Sequence, residues 1–167
     1  MPINNYIIAT EPLNDETVRG LIANGACVSD SRFVVNYFRC SADNRMLFGG
    51  GESYGYRFPR DIKTFVQRYM LKIYPNLKDT KVEYGWGGTL AITMSRLPYF
   101  QRHSANIFSA SGYSGSGVAL ATGAGAMLAS RFDVMNRLPT PSFPGGSALR
   151  SPLLALAMTW FAIRDRL

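Results

Sequence analysis

Two runs decide the fold: Phe33-Val34-Val35-Asn36-Tyr37-Phe38-Arg39 and Arg45-Met46-Leu47-Phe48-Gly49, joined through Ser41-Ala42-Asp43-Asn44. β-Branched and aromatic residues favour a pleated, half-buried strand, and the polar stretch between the runs has turn chemistry. The pair reads as a hairpin, which makes antiparallel neighbours. Along its first strand Phe33, Val35, Tyr37 and Arg39 share one face, because side chains alternate with a period of two.

Working outward, Tyr6-Ile7-Ile8-Ala9-Thr10 reads as a further strand. Asn14 or Asp15 caps a short helix with Val18, Leu21 and Ile22 on one face, and Gly25 ends it. Pro59 fits the first turn of a helix carrying Ile62, Phe65, Val66, Tyr69, Met70 and Ile73 at helical spacing, which stops at Pro75. Residues 82–92 read as strand interrupted by Gly85, Gly87 and Gly88; glycine inside a strand marks a bulge or the close approach of a backbone or ligand. Asn106-Ile107-Phe108-Ser109-Ala110 is a short strand, and an apolar helix covers 118–129. Residues 133–138 add a helical turn, Pro139, Pro141, Pro144, Gly145 and Gly146 make a loop, and 152–167 form a final amphipathic helix. Hairpin-ordered strands with a few helices and no regular strand–helix alternation predict an α+β fold, a mainly antiparallel sheet with flanking helices.

Composition bounds the function. A chain of 167 residues with 47% hydrophobic and 17% charged residues is globular and long enough for one domain. Its net charge of +7 favours anionic partners, but the basic residues are scattered, so no nucleic-acid-binding tail is expected. Cys27, Cys40 and the single His103 stand at no metal-ligand spacing, so no metal site is expected and the two thiols read as reduced. No leader-like start and no apolar stretch of about 20 residues is present, and the expectation is a cytoplasmic protein without a membrane segment.

The chemistry concentrates in Gly112-Tyr113-Ser114-Gly115-Ser116-Gly117-Val118. Here a strand, a glycine-rich turn and a helix follow directly. Free backbone N–H groups at a helix start, with the helix dipole behind them, favour negative charge, and either Ser114 or Ser116 can cap the helix. Gly117, Ala121, Gly125 and Ala129 then form a stripe of small residues that lets another element pack close. The segment is no dinucleotide fingerprint, which needs glycine where Leu120 stands, and no phosphate-binding loop, since Gly-Lys-Ser/Thr is absent. A tight turn leading into a closely packed helix is the plain structural alternative. No nucleophile elbow with a nearby histidine and no paired carboxylates stand out, so no catalytic residue is named. Tyr37 and Arg39, on one strand face, are candidates to meet a substrate carboxylate.

Taken together, Asn36-Tyr37-Phe38-Arg39, Arg45-Met46-Leu47-Phe48-Gly49-Gly50, Tyr84-Gly85-Trp86-Gly87-Gly88, Ile92-Thr93 with Pro98, and residues 112–120 resemble the C-terminal half of FAD-dependent amine and amino-acid oxidoreductases. This is the D-amino-acid oxidase-like family, and the gamma-glutamylputrescine oxidoreductase branch of putrescine catabolism is the most similar in pattern. Phe132-Asp133, Phe143-Pro144-Gly145-Gly146, Leu149-Arg150 and Pro152-Leu153 fit the same branch. The resemblance implies that residues 1–104 are a substrate-domain-like sheet with helices. Residues 105–167 would return as a flavin-contacting strand, turn and helix followed by a C-terminal helix. It also implies FAD contacts at Trp86, Gly87, Gly88 and 112–118, a substrate site at Tyr37 and Arg39, and oxidative deamination of a small amine by hydride transfer to the flavin.

Three departures stand out. The family's Rossmann half, with its Gly-x-Gly-x-x-Gly, has no counterpart here. Ser116 replaces the histidine usual in the family. The helix after Val118 is short, with Ser130 already running into Arg131. The expectation is a substrate- and flavin-capping portion that does not retain FAD alone and works with a separate Rossmann-bearing chain. The second reading is a non-catalytic, truncated remnant or interaction module that self-associates through the surface its lost half covered. A single-stranded nucleic-acid module, the third reading, lacks the interleaving of aromatics with Lys and Arg that stacking along a backbone requires.

Overall fold

The computed structural model describes residues 2–54, 57–130 and 146–164. The order is β1 (Pro2–Thr10), α1 (Asp15–Leu21), β2 (Val28–Ser29), β3 (Tyr37–Cys40), β4 (Met46–Tyr54), α2 (Ile62–Ile73), a 3-10 turn (Pro75–Leu77), β5 (Val82–Ala91), β6 (Tyr99–Arg102), β7 (Phe108–Ser111), α3 (Gly117–Ala129) and α4 (Gly146–Arg164). The fold is α+β, with a five-stranded sheet ordered β2-β3-β4-β1-β5 and a separate hairpin β6-β7. β2/β3, β3/β4 and β6/β7 pair antiparallel. The helical turn expected at 133–138 and most of the proline loop after it lie outside the described residues.

Packing divides the chain into two compact units, Asn4–Gly88 with Leu156–Leu167, and Met1–Ile3 with Thr89–Ala155. The division by role anticipated from sequence runs instead at 104/105.

In the first of these units the alternation of the strands builds the core. Tyr6 and Ile8 of β1, Phe38 and Cys40 of β3, and Met46 and Phe48 of β4 turn to one face and bury against Val66 and Met70 of α2. Phe38 and Phe48 stack with centroids 5.3 Å apart. α2 starts later than Pro59 suggests: Asp61 is its N-cap, and its carboxylate accepts from the Thr64 N–H at 3.1 Å. Asn14 caps α1 in the same way, accepting from the Thr17 N–H at 2.8 Å. Arg45 clasps three strands. It donates to Thr10 O of β1 at 2.7 Å and pairs with Glu83 of β5 at 2.5 Å, from its place beside the first residue of β4.

β3 is shorter than the expected strand over 33–39, and the cause is local. Asp30 Oδ1 accepts from the Asn36 N–H at 3.0 Å, its Oδ2 accepts from Asn36 Nδ2 at 2.7 Å, and its own N–H donates to Asn36 O at 2.9 Å. Side-chain bonds of this kind offer the backbone an alternative to the ladder, so residues 30–36 close into a loop. The Phe33 ring then stacks on Phe161 at 3.9 Å rather than pairing in the sheet.

In the other unit β6 was not anticipated. Its four residues follow Pro98 and end in Gln101-Arg102, too short and polar to signal a strand, yet they pair residue by residue with β7. α4 begins at Gly146 and carries Pro152 inside it, whereas the sequence suggested a start at that proline. Among the described residues no helix is long and apolar enough to cross a membrane, and no group of three or more His, Cys, Asp or Glu is placed to hold a metal ion. Both cysteines are free, Cys27 exposed and Cys40 buried.

Candidate functional site

The candidate residues fall into two clusters, one in each unit. The first follows from the same alternation that builds the core. If Tyr6, Ile8, Phe38 and Phe48 face α2, then Ile7, Tyr37, Arg39 and Leu47 face the other way. They line a cavity of about 260 Å³ together with Val28, Cys27 and Trp86. Tyr37 pairs with Gly49 across the β3/β4 ladder. A Cβ on Gly49 would overlap the Tyr37 ring, so the ring lies flat over bare backbone there. Two residues on, Gly51 has φ +72, and a Cβ there would meet Phe65 on the core side at 2.6 Å. Its left-handed backbone breaks the alternation of β4.

The Tyr37 hydroxyl donates to Asn5 Oδ1. Burial, and after it the charge of Glu52, pushes its pKa above the ordinary value of 10.0, so this phenol stays protonated in neutral solution. Arg39 is exposed, and its Nε–H donates to Cys40 O at 3.2 Å. Among the described residues no carboxylate forms an ion pair with its guanidinium. Burial pushes the neighbouring Cys40 thiol up, against the opposing effect of Arg39.

The structure therefore brings Tyr37, Arg39 and Trp86 to one cavity, although Trp86 was expected on the flavin side. Gly87 packs tightly, since a Cβ there would lie 2.5 Å from Tyr6 Cδ1, while Gly88 has open space around it. Sequence reasoning missed Ile7, Cys27, Val28 and Leu47 as walls. Only the pairing of Tyr37 with a glycine hinted at a hollow on that face.

The second cluster is the turn at 112–118. Gly112 is buried with φ +70, and Ser114 and Gly115 also have positive φ, 53 and 100. The Ser114 N–H donates to Ala91 O at 3.1 Å, and its hydroxyl accepts from the Thr93 N–H at 3.2 Å and donates to Gly112 O at 3.2 Å. Ser114 is thus a tether to the segment after β5, not the helix cap. Ser116 takes the N-cap position but makes no side-chain cap bond. The amides of the first turn of α3 therefore lack a side-chain acceptor of the usual kind. Gly115 and Ser116 are exposed, Gly117 is half-buried, and Val118 is 96% exposed.

This donor set suits an electron-rich ring edge or another anion, since partial positive charge collects at a helix start and Ser116 supplies no side-chain acceptor there. Of the stripe of small residues, Ala121, Gly125 and Ala129 are exposed, whereas an added Cβ on Gly117 would meet Tyr113 at 3.8 Å. Ser130 closes the helix, its hydroxyl donating to the Ala126 and Met127 carbonyls, each at 3.0 Å.

Comparison with known proteins points one way. The family described as "FAD dependent oxidoreductase" matches residues 1–131. The chain is 41% identical over its whole length to gamma-glutamylputrescine oxidoreductase of Escherichia coli K12, and covers 41% of that protein. It is 42% identical to the probable oxidoreductase OrdL of Rhizobium meliloti, over 99% of this chain and 40% of the relative. It thus spans about two-fifths of the length of these curated relatives. Among solved structures, L-proline dehydrogenase from P. horikoshii superposes with a TM-score of 0.61 at 23% identity, over 84% of this chain and 37% of the other. Glycine oxidase from Geobacillus kaustophilus gives 0.61 at 19% identity, over 83% and 36%. At these identities the likeness is one of fold.

Proposed function

The chain belongs to the FAD dependent oxidoreductase family, and from that membership we propose that it forms the substrate-side and flavin-facing portion of an FAD-dependent amine oxidoreductase. The observation that carries the proposal is the start of α3, where the N-cap Ser116 makes no side-chain cap bond and Val118 is presented at the surface. What FAD supplies when bound is a two-electron acceptor for the hydride leaving the carbon beside the amine. The resulting imine is hydrolysed by water to an aldehyde and ammonia.

This chain's residues have three tasks. The Gly117 and Val118 amides and the α3 dipole stabilise negative charge that grows at their end of the helix. Thr93 and Ser114 hold the turn that aims those amides. Tyr37, Arg39 and Trp86 bind the substrate in the cavity, and its apolar walls exclude water. The name of one relative, gamma-glutamylputrescine oxidoreductase, favours a putrescine-derived amine.

The 167 residues carry no Gly-x-Gly-x-x-Gly, the motif that cradles the FAD pyrophosphate in a Rossmann fold. The proposal includes a separate Rossmann-bearing chain docked on the exposed face of α3. Two free thiols suit a reducing compartment, and we place the protein in the cytoplasm.

The test is co-expression of this chain with the part of the E. coli relative that it does not match. The expected result is a complex that retains FAD, and whose flavin absorbance bleaches anaerobically when a putrescine-derived amine is added. A colourless complex, or a flavin that no amine bleaches, overturns the reading. The remnant reading is favoured by one observation, the exposed apolar side chains of α4, among them Leu156 at 68% and Trp160 at 65% exposed. It predicts self-association of the colourless chain with or without added FAD.

A further inference from the structure

We propose that residues 33–36 are a two-state element: a loop while Phe33 stacks on Phe161 of α4, and a continuation of β3 along β4 when that stack is broken. Docking of the C-terminal helix thereby sets one wall of the cavity. Neither state involves flavin.

Local preference and observed structure pull these residues in opposite directions. Phe33-Val34-Val35 is aromatic and β-branched, a strand by composition, yet β3 begins only at Tyr37. The loop is held from outside the run. The Asp30 carboxylate accepts from the Asn36 N–H at 3.0 Å, from Asn36 Nδ2 at 2.7 Å and from the Arg32 N–H at 3.3 Å. The loop also carries a defect. Asn36 is only 2% exposed, and its Oδ1 has no hydrogen-bond partner among the described residues, which is unfavourable for a buried amide.

The strand state has a place to go. β3 and β4 pair from Cys40 and Met46 up to Tyr37 and Gly49, and β4 runs on to Tyr54. The same register, continued, sets Asn36, Val35, Val34 and Phe33 against Gly50, Gly51, Glu52 and Ser53. Gly51, at φ +72, turns β4 aside. Glycine passes between the left-handed and extended regions without a Cβ penalty, so position 51 can flatten.

The contact with α4 decides between the states. The Phe33 ring lies parallel to Phe161, with centroids 3.9 Å apart and planes 13° apart, and the Arg164 guanidinium stands 4.8 Å from the Phe161 centroid. Carrying Phe33 into the ladder breaks the stack, so the stack stabilises the loop alone, as a switching contact must. The effect reaches the cavity because its walls flank the segment. Val28 pairs with Phe38 and Ser29 with Tyr37, and Cys27, Val28, Tyr37 and Phe38 all line the cavity. β2 is two residues long, so it follows the loop that joins it to β3.

Amide hydrogen exchange of the whole chain, read by mass spectrometry, tests the proposal. Phe161→Ala, and the milder Phe161→Leu, which keeps bulk without the stack, should slow exchange at 33–36 about three- to tenfold, the weight of one aromatic pair. A loop that merely frays would exchange faster. Coupling is reciprocal, so Asp30→Ala, which removes the acceptor that shapes the loop, should quicken exchange across 156–164 by a similar factor. Unchanged protection at Val66 and Met70 shows an intact core; where Phe161→Ala loses it, Phe161→Leu decides. Exchange at 33–36 that is unchanged or faster in the folded Phe161 variants overturns the proposal. So does an Asp30→Ala chain whose residues 156–164 exchange as in the parent.

Discussion

At the scale of single residues the cavity side of the sheet gives the sharpest expectations. Burial and then Glu52 raise the Tyr37 pKa above 10.0, so the folded chain holds that proton more tightly than the unfolded chain. The stability this contributes is full below pH 10.0 and is lost as pH rises through the folded value. Tyr37→Phe should flatten the fall in urea midpoint measured between about pH 9 and 11. Part of the slope remains, because burial and then Cys40 raise Tyr74 in the same sense. Gly49→Ala puts a methyl group into the Tyr37 ring, an overpacking expected to cost about 1–3 kcal/mol in urea unfolding. Tyr37 and Arg39 were legible in sequence because a period of two puts them on one face. Cys27, Val28 and Ile7 were not, because they reach the cavity through tertiary placement of their segments, which local pattern does not carry. Ser114 was legible as special and misread in role: its hydroxyl goes to Thr93, 21 positions away.

At the scale of elements, α2 is where sequence and structure agree best. Val66 and Met70 are fully enclosed and Ile62, Phe65 and Tyr69 pack half-buried against the same core, while Ile73 at the helix end is exposed. Met70→Ala should lower the unfolding free energy by about 2–5 kcal/mol, the cost of deleting a buried side chain from a close-packed core. The N-cap gives a second, pH-dependent handle. Hydrogen bonding to Thr64 holds the Asp61 carboxylate below its ordinary value of 3.8. Its contribution is therefore present above that value and is lost as pH falls through the lower folded one. Asp61→Asn keeps a capping oxygen and should remove this part of the acid sensitivity, read from thermal melts across the acid range. Elements misjudged from sequence share a cause. β3 lost its first half to Asp30, and β6 exists because β7 lies beside it. In both, a partner outside the window outweighed local propensity.

At the scale of the whole molecule the exposed start of α3 separates stability from function. Val118→Asp places an acid in the first turn of a helix that has none, which favours the helix itself by about 0.3–1 kcal/mol. The same charge would stand where an electron-rich ring is proposed to lie. A chain that melts no lower than the parent, yet retains no FAD when co-expressed with the complementary part, is the expected outcome. Equal flavin retention by variant and parent contradicts the proposed role of that turn.

The sheet offers one more lever, in the glycines of β4. Because Gly51 turns over the alternation, a methyl group at position 49 collides with the Tyr37 ring in the cavity wall, while one at position 51 intrudes on Phe65 in the core. Glycine and alanine codons differ by a single base. Descendants of this gene can therefore displace the Tyr37 wall of the chamber in one mutational step that leaves Phe65 untouched, with the packing penalty falling on the cavity side of the sheet.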